Sequence, residues 1–246
     1  MQILEHFISG PDTCQYLPDR LATQEYVHVS QFSPAEYETL MDRNWRKFGP
    51  MLFRPVCDHC DQCRTLRIPT SEFAPDRSQQ RCTRKNTDLE VRYALPTVNA
   101  ERLDLYRRYH ASQAALKGWP DGERSAKSYQ FQFVHNPLPS VEISIWEDAV
   151  LRAVVITDIA PNAVSGVYHF HDPDSKSRGL GTFALLQTLS LARQLEKPWT
   201  YFGYSVAGSP SMAYKTRFQP HEILQPNGVW LRSAGGNAGI INDTVE

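Results

Sequence analysis

Apolar residues at helical spacing mark the helices of this chain. Ser33 is followed by a proline at the first helical position and by Glu36, which is the composition of a capping box, and Tyr37 and Met41 then begin an apolar stripe. Glycines open a later helix, whose apolar stripe starts at Phe183. The predicted helices cover 34–45, 78–85, about 103–109, 125–134, 179–195 and 209–215.

Runs of β-branched and aromatic residues predict the strands. The first three runs are separated by Glu147-Asp148 and Pro161-Asn162, which is typical of an antiparallel meander. The predicted strands cover 141–146, 150–157, 164–170, 200–204, 222–224 and 229–231. Two helices, three antiparallel strands, a glycine-opened helix and a further strand form the element order of the N-acyltransferase (GNAT) fold. We therefore expect an α+β fold of the GNAT-like acyltransferase type.

Pro96-Thr97 marks the predicted domain boundary. Before it, 53–93 reads as short extended pieces and turns around cysteines and prolines, whereas the regular helix and strand patterns follow it. We expect an N-terminal, cysteine-containing and basic subdomain over 1–95, and a GNAT-like transferase domain over 96–246.

The composition excludes a disordered or membrane-spanning chain. Apolar residues make up 41% of the 246 residues, and no apolar run approaches the roughly 20 residues that cross a bilayer. Residues 1–14 lack a basic segment followed by an apolar one, so export is not predicted. We expect a cytoplasmic protein with no membrane partner, whose five cysteines stay reduced and serve as ligands, reactive groups or core residues.

The net charge of −1 is unevenly distributed along the chain. The segment from Arg64 to Lys85 contains six basic residues and two acids, which gives it a local charge of +4. A basic stripe in a nearly neutral protein favours a polyanion bound on one face. The alternative is a charged face that only contacts water.

The cysteine run Cys57-x2-Cys60-x2-Cys63 has a spacing that suits a metal or cluster. It resembles the start of a ferredoxin-type run, but Arg67 stands where the next cysteine would be. Cys14 is the leading candidate for a fourth ligand, with Cys82 or His59 as alternatives. The sequence fixes no cofactor: an iron-sulfur cluster, zinc, or free thiols packing a turn all remain open.

Two other segments could bind substrate. The turn Arg178-Gly179-Leu180-Gly181 offers backbone N–H groups and a helix N-terminus to an anion such as the pyrophosphate of acyl-CoA. An aromatic and basic cluster near the end of the fold suits stacking and charge at a nucleic-acid end, although such residues are more often core. This cluster contains Tyr204, Met212, Tyr214, Lys215, Arg217 and Phe218.

Many segments, in one order from Cys14 to about Trp230, resemble the bacterial aminoacyl-tRNA-protein transferases, the short relatives of eukaryotic arginyl-tRNA-protein transferase. The early segments are Cys14-x-Tyr16-Leu17, Trp45-Arg46-x-x-Gly49, Phe53-Arg54-Pro55 with the cysteine run, Arg67-Ile68-Pro69-x3-Phe73, Arg77-x3-Arg81-x4-Asn86-x-Asp88-Leu89 and 105–109. The later ones are Asp158, Val167-Tyr168-x-Phe170, Leu180-Gly181-x-Phe183, Gly203-Tyr204 and Met212-x-Tyr214-Lys215-Thr216.

The resemblance implies transfer of an amino acid from aminoacyl-tRNA to the N-terminal Asp or Glu of acceptor proteins, which marks them for degradation in the N-end rule pathway. Leucine is the expected donor residue, as in aspartate/glutamate leucyltransferase, and arginine is the alternative. The partners it implies are Leu-tRNA or Arg-tRNA and acceptor proteins with an acidic N-terminus.

For this reaction we expect Lys215 and Tyr214 to lie near the ester or the terminal ribose. Tyr168 and Asp158 would orient the attacking amine, and Arg54 or Arg67 would bind the acidic side chain of the acceptor. The remaining candidate substrate-binding residues are Arg46, Tyr204, Arg178 and Gly181.

The chain departs from the family pattern at several positions. These are Ser205-Val206, Ser209, Gln113-Ala114 and Leu116-Lys117. Two alternatives to an aminoacyl-tRNA-dependent transferase remain open. One is an acyl-CoA-dependent N-acyltransferase that uses the 178–181 turn, and the other is a non-catalytic tRNA- or peptide-binding relative.

Overall fold

The computed structural model describes residues 1–118 and 124–233. The strands are β1 Gln2–Thr13, β2 Leu21–Gln31, β3 Arg46–Phe48, β4 Met51–Pro55, β5 Cys63–Pro69, β6 Glu90–Ala94, β7 Ser140–Glu147, β8 Val150–Ile159, β9 Ala163–His171, β10 Trp199–Val206, β11 Glu222–Leu224 and β12 Trp230–Arg232. The helices are α1 Pro34–Met41, α2 Arg77–Lys85, α3 Ala100–Lys117, α4 Ala126–Tyr129 and α5 Leu180–Gln194. A π-helical turn, Gln130–Val134, continues α4, and two 3₁₀ segments cover Pro173–Arg178 and Ala213–Arg217.

The described strands form two sheets. The smaller one has the order β1-β2-β4-β3, and the larger one has the order β12-β11-β5-β10-β9-β8-β7-β6. Neighbouring strands are antiparallel except β9 and β10, which are parallel. The predicted meander and the order of helix and strand after it are confirmed, so the fold is α+β and GNAT-like.

The larger sheet is buried on both faces because helices cover each side. Along β8, Ala153 and Val155 pack with α5, whereas Val154 and Ile156 pack with α3 and α4. Successive side chains of a strand point to opposite faces, so the continuous apolar run of β8 reflects this double coverage. Within the described ranges, no helix is long and apolar enough to cross a membrane.

Two expected elements differ in detail, and one element was not expected. The helix predicted over 34–45 ends at Met41, because Asn44 has a positive φ of 65° and turns the chain into β3. The helix expected over 209–215 is the 3₁₀ segment Ala213–Arg217. The long hairpin of β1 and β2 was not predicted, since β1 is exposed along nearly all its length and shows no buried apolar face.

The strands do not separate at the predicted domain boundary. β5 lies between β10 and β11, and β6 pairs with β7 at the edge of the same sheet. The larger sheet therefore takes strands from both 1–95 and 96–246, and the division into two domains stays a prediction.

Candidate functional site

The candidate site is a cavity at the point where β9 and β10 separate. The parallel pairing of these strands covers three residue pairs, which end at Ser165 and Tyr201. The residues that follow, Gly166 and Val167 on β9 and Phe202 and Gly203 on β10, line a cavity of about 1480 Å³. Parts of α3, α5, β3, β4 and the cysteine segment complete its wall. The gap between β9 and β10 thus opens the middle of the sheet to a substrate.

Lys215 lies in this cavity wall with its charge almost fully buried. The 3₁₀ segment carries it, its side chain is among the buried polar groups, and Nζ donates a hydrogen bond to the carbonyl oxygen of Tyr204 at 2.7 Å. Burial lowers the pKa of the Lys215 ammonium to about 7, and the nearby charge of Arg46 acts in the same direction. A lysine of this kind is substantially neutral near pH 7 and can accept a proton.

Arg46, from β3, is the second buried cation of the wall. It is 6% exposed, and Nη2 donates to Ser165 Oγ at 3.3 Å and to the Gly166 carbonyl oxygen at 3.2 Å. Its Nη1 is buried and has no hydrogen-bond acceptor among the described residues. A buried guanidinium N–H without an acceptor is costly, so a carboxylate or an oxyanion bound here would stabilise it.

Gly203 lies beside both basic side chains. Its φ is 76°, in the left-handed region that favours glycine, and a Cβ built on it would lie 3.6 Å from both Arg46 Nη2 and Lys215 Nζ. The backbone angle at this contact with Arg46 and Lys215 is therefore one that glycine adopts without strain.

Three predicted tyrosines lie in the same wall and are neutral groups. Tyr204 donates its hydroxyl to the Asn44 carbonyl oxygen at 2.8 Å, and Tyr168 OH lies 2.9 Å from His110 Nε2. Burial raises the pKa of Tyr168, Tyr204 and Tyr214 and lowers that of His110 to about 4. At neutral pH these groups can donate or accept hydrogen bonds but carry no charge.

Gly181 and Arg54 also line the cavity, and Arg178 does not. Arg54 Nε is bonded to Glu25 at 2.6 Å, so its charge is already partly neutralised. Arg178 forms two hydrogen bonds with Asp88, at 3.0 and 2.8 Å, and an ion pair with Glu147. The predicted anion-binding role of Arg178 is therefore not supported by its position.

Asp158 is placed away from the cavity wall. Its carboxylate forms an ion pair with Lys47 at 2.8 Å, and both side chains are fully buried. Ser140 Oγ donates to the same carboxylate at 2.9 Å. This arrangement fixes β3 against β8, next to Arg46, and does not support the predicted contact of Asp158 with the amine.

Arg67, on β5, does not line the cavity. Its guanidinium is sandwiched between the rings of Trp199 and Trp230, at 3.8 and 3.9 Å, and pairs with Glu222 at 2.8 Å. Both faces of the guanidinium are covered, so the predicted binding of an acidic acceptor by Arg67 is not supported. This stack could not be predicted from the sequence, because the three partners come from distant segments.

Replacing Arg67 with alanine is therefore expected to lower stability and to leave transfer chemistry intact. Two cation–π contacts of about 0.5 to 2 kcal/mol each and a partly buried ion pair would be lost, which amounts to roughly 2 to 4 kcal/mol. Urea unfolding of Arg67→Ala against Arg92→Ala, an exposed arginine that also stacks on a tryptophan, measures this. An Arg67→Ala protein of unchanged stability that has lost activity would restore the substrate-binding role.

The four predicted metal ligands gather at one end of the cavity. Burial, with the charges of Cys14, Cys57 and Cys60, raises the pKa of the Cys63 thiol to about 12. However, within 1–118 and 124–233 no three His, Cys, Asp or Glu side chains are placed to hold one metal ion. Zinc or an iron-sulfur cluster at these cysteines stays a prediction.

The sulfurs also accept hydrogen bonds from the β1–β2 hairpin, from Arg20 to Cys60 and from the Thr23 N–H to Cys57, both at 3.3 Å.

Three histidines that were not among the predicted site residues also line the cavity. His169 and His171 alternate along β9, and His110 comes from α3. The i, i+2 spacing on a predicted strand could have placed His169 and His171 on one face with Val167. For His110 no comparable signal exists in the sequence.

Comparison with known proteins identifies, along nearly the whole chain, the family that the sequence resembles. Residues 12–81 match the family model for the N terminus of arginine-tRNA-protein transferase, and residues 101–225 match the model for its C terminus. The aspartate/glutamate leucyltransferase of Halorhodospira halophila (strain DSM 244 / SL1) is 36% identical over 87% of this chain and 92% of its own. The enzyme of the same name from Pseudomonas syringae pv. syringae (strain B728a) is 36% identical over 93% of this chain and 96% of its own.

Solved structures align at lower similarity. FemX aligns with a TM-score of 0.49 and 8% identity over 74% of this chain and 64% of its own, and L-PGS from Bacillus licheniformis with 0.46 and 9% over 70% and 58%. Both alignments cover less than two thirds of the solved chains. The two family models and the relatives at 36% identity, by contrast, span most of this sequence. The chain belongs to the arginine-tRNA-protein transferase family.

Proposed function

We propose that the protein transfers leucine from Leu-tRNA to the α-amino group of acceptor proteins that begin with Asp or Glu. The observation that carries the proposal is the pair of buried basic side chains, Lys215 and Arg46, both next to Gly203 where β9 and β10 separate. The family and the name shared by its relatives supply the substrate class. The reaction would take place in the cytoplasm, where charged tRNA is available.

Lys215 supplies a proton acceptor for this reaction. The amine nitrogen of the acceptor attacks the ester carbonyl carbon of Leu-tRNA, and an N-terminal amine has an ordinary pKa of about 7.7 to 8.0. As the C–N bond forms, neutral Lys215 Nζ takes the amine proton, and it returns the proton to the ribose oxygen as the ester C–O bond breaks. A pKa of about 7 suits both halves of this relay.

Arg46 supplies the charge that an acidic N-terminal residue requires. Of the two arginines predicted to bind the acidic side chain of the acceptor, Arg54 is paired with Glu25 and Arg67 with Glu222. Arg46 has no carboxylate partner among the described residues, and its buried Nη1 lacks an acceptor. A carboxylate of Asp or Glu at this point would form a charge-assisted hydrogen bond that the amides Asn and Gln would form much more weakly.

The acyl-CoA alternative has less support from the geometry. The turn proposed for pyrophosphate uses Arg178, whose guanidinium is held by Asp88 and Glu147. In addition, the ring of His171 packs over Gly181, with Cε1 at 3.2 Å from where a Cβ would be, at the start of α5. A pyrophosphate would have to displace this ring.

A transfer assay tests the proposal against both alternatives. Purified protein is incubated with Leu-tRNA, Arg-tRNA or acetyl-CoA and with peptides beginning with Asp, Glu, Asn or Gln. We expect leucine on the α-amine of the Asp and Glu peptides only. Acetylated peptide would support the acyl-CoA enzyme, and Leu-tRNA binding without product would support a non-catalytic relative.

A further inference from the structure

Helix α2 carries a basic face that the proposed reaction does not use. Arg77–Lys85 contains four basic residues and no carboxylate. Arg77, Arg81 and Arg84 recur at i, i+4 and i+7, so their side chains lie along one side of the helix. All three are exposed, and none forms an ion pair with another residue of the described ranges.

The acids that flank α2 are occupied by other partners. Asp76 caps the helix by accepting the Gln79 N–H at 2.7 Å and lies 3.6 Å from Arg217. Asp88 pairs with Arg178, and Glu72 pairs with Arg232. The exposed side of α2 therefore keeps its positive charge, and Arg217, which is 60% exposed and pairs only at 3.6 Å with Asp76, lies beyond the start of the helix.

Two contacts place α2 beside the cavity. Gln79 Nε2 donates to the carbonyl oxygen of Arg217 at 3.4 Å, and Arg217 follows Lys215 by two residues in the same 3₁₀ segment. At the other side, Cys82 Sγ lies 3.4 Å from the carbonyl oxygen of Gly179, where α5 begins. Helix α2 is thus joined, by the side opposite its basic face, to the segment that carries Lys215.

We propose that α2 and Arg217 bind the phosphates of the acceptor stem of the donor tRNA; this rests on the proposed function. Only a polyanion offers several negative charges along a line of this length: Arg77 to Arg84 spans about 10 Å along the helix axis, the axial length of two to three phosphates on one strand. Phosphate contacts position a nucleic acid without reading its bases, which suits a stem leading its 3′ end into the cavity.

The basic residues of the segment 64–85 that have no carboxylate partner all lie on helix α2. Arg64 pairs with Asp61 at 2.7 Å, and Arg67 is held in its tryptophan sandwich with Glu222. Of the six basic residues in that segment, the four on α2 have no carboxylate partner among the described residues, although Lys85 donates to the Ser177 carbonyl oxygen at 2.6 Å.

Salt-dependent tRNA binding tests the proposal. Binding of fluorescent, uncharged leucine tRNA is measured between about 50 and 200 mM KCl for the wild type and for the triple variant Arg77→Gln, Arg81→Gln, Arg84→Gln. We expect the slope of log Kd against log salt to fall by about 2 to 3, with binding at least tenfold weaker at low salt. Transfer at saturating Leu-tRNA and the KM of the acceptor peptide are expected to stay unchanged.

The matched control is Arg92→Gln, Arg107→Gln, Lys127→Gln, which removes the same charge from exposed positions elsewhere. It is expected to keep the wild-type slope. An unchanged slope in the α2 variant, or equal losses in both variants, would overturn the proposal for α2 even if the wild type transfers leucine. A wild type that shows the α2-dependent slope but transfers no leucine would contradict the proposed function and leave the tRNA surface standing.

Discussion

Replacing Lys215 with methionine is expected to reduce the single-turnover rate of leucine transfer by at least about 100-fold. Methionine keeps an unbranched side chain, one atom shorter than that of lysine, but cannot accept the amine proton, and a positioned acid–base group contributes about 10² to 10⁴ in rate. Saturating both substrates removes any effect on binding. A variant that transfers leucine at the wild-type rate would exclude Lys215 from the proton relay.

The same variant is expected to be more stable than the wild type at neutral pH. Between pH 7 and 10.5 the unfolded state keeps the Lys215 proton while the folded state releases it, so wild-type stability rises with pH, by up to about 1.4 kcal/mol per pH unit. The advantage of Lys215→Met should therefore be largest near pH 7 and shrink toward pH 10. Urea unfolding at several pH values measures this. Lys127→Met, at an exposed lysine, is the control and should show no such trend.

Replacing Arg46 with glutamine is expected to remove the preference for an acidic acceptor. In the wild type, changing the first residue of the peptide from Asp to Asn should lower kcat/KM by roughly 30-fold or more, because the buried guanidinium loses its carboxylate, a change worth about 2 to 5 kcal/mol. In Arg46→Gln the two peptides should differ by less than about threefold. The measurement is the ratio of kcat/KM values for the two peptides in each protein.

The matched comparison for this prediction is Arg54→Gln. Arg54 also lines the cavity but is paired with Glu25, so its loss should preserve the preference for Asp. If Arg54→Gln loses the preference and Arg46→Gln keeps it, the acceptor carboxylate is bound by Arg54, as the sequence first suggested. Arg46 would then be left with the ester oxyanion as its candidate ligand.

Elements with strong local periodicity could be predicted from the sequence. The helix Leu180–Gln194 has apolar residues at helical spacing, and the meander β7 to β9 consists of β-branched and aromatic runs. Their bounds agree with the prediction to within a few residues. The hairpin of β1 and β2 could not be predicted in the same way, because an exposed strand carries no alternating apolar face.

The site was partly predictable for a similar reason. Lys215 and Tyr214 lie in a segment that resembles the family, and both line the cavity. The lowered pKa of Lys215 depends on burial and on the charge of Arg46, which is 169 positions away in the chain and reaches the site only through β3. Arg67 and Asp158 were predicted at the site but lie outside the cavity wall. Their ion-pair partners, Glu222 and Lys47, are distant in the sequence and are brought close only by the fold.

The pH dependence of single-turnover leucine transfer to an Asp-peptide tests whether Lys215 acts as the proton acceptor. We expect leucine on the α-amine of the peptide, at a rate that rises with pH through about 7, as Lys215 becomes neutral, and levels off above about 8, as the acceptor amine also becomes neutral. The absence of leucylated peptide, or a rate that Lys215→Met reproduces across the same pH range, would contradict it.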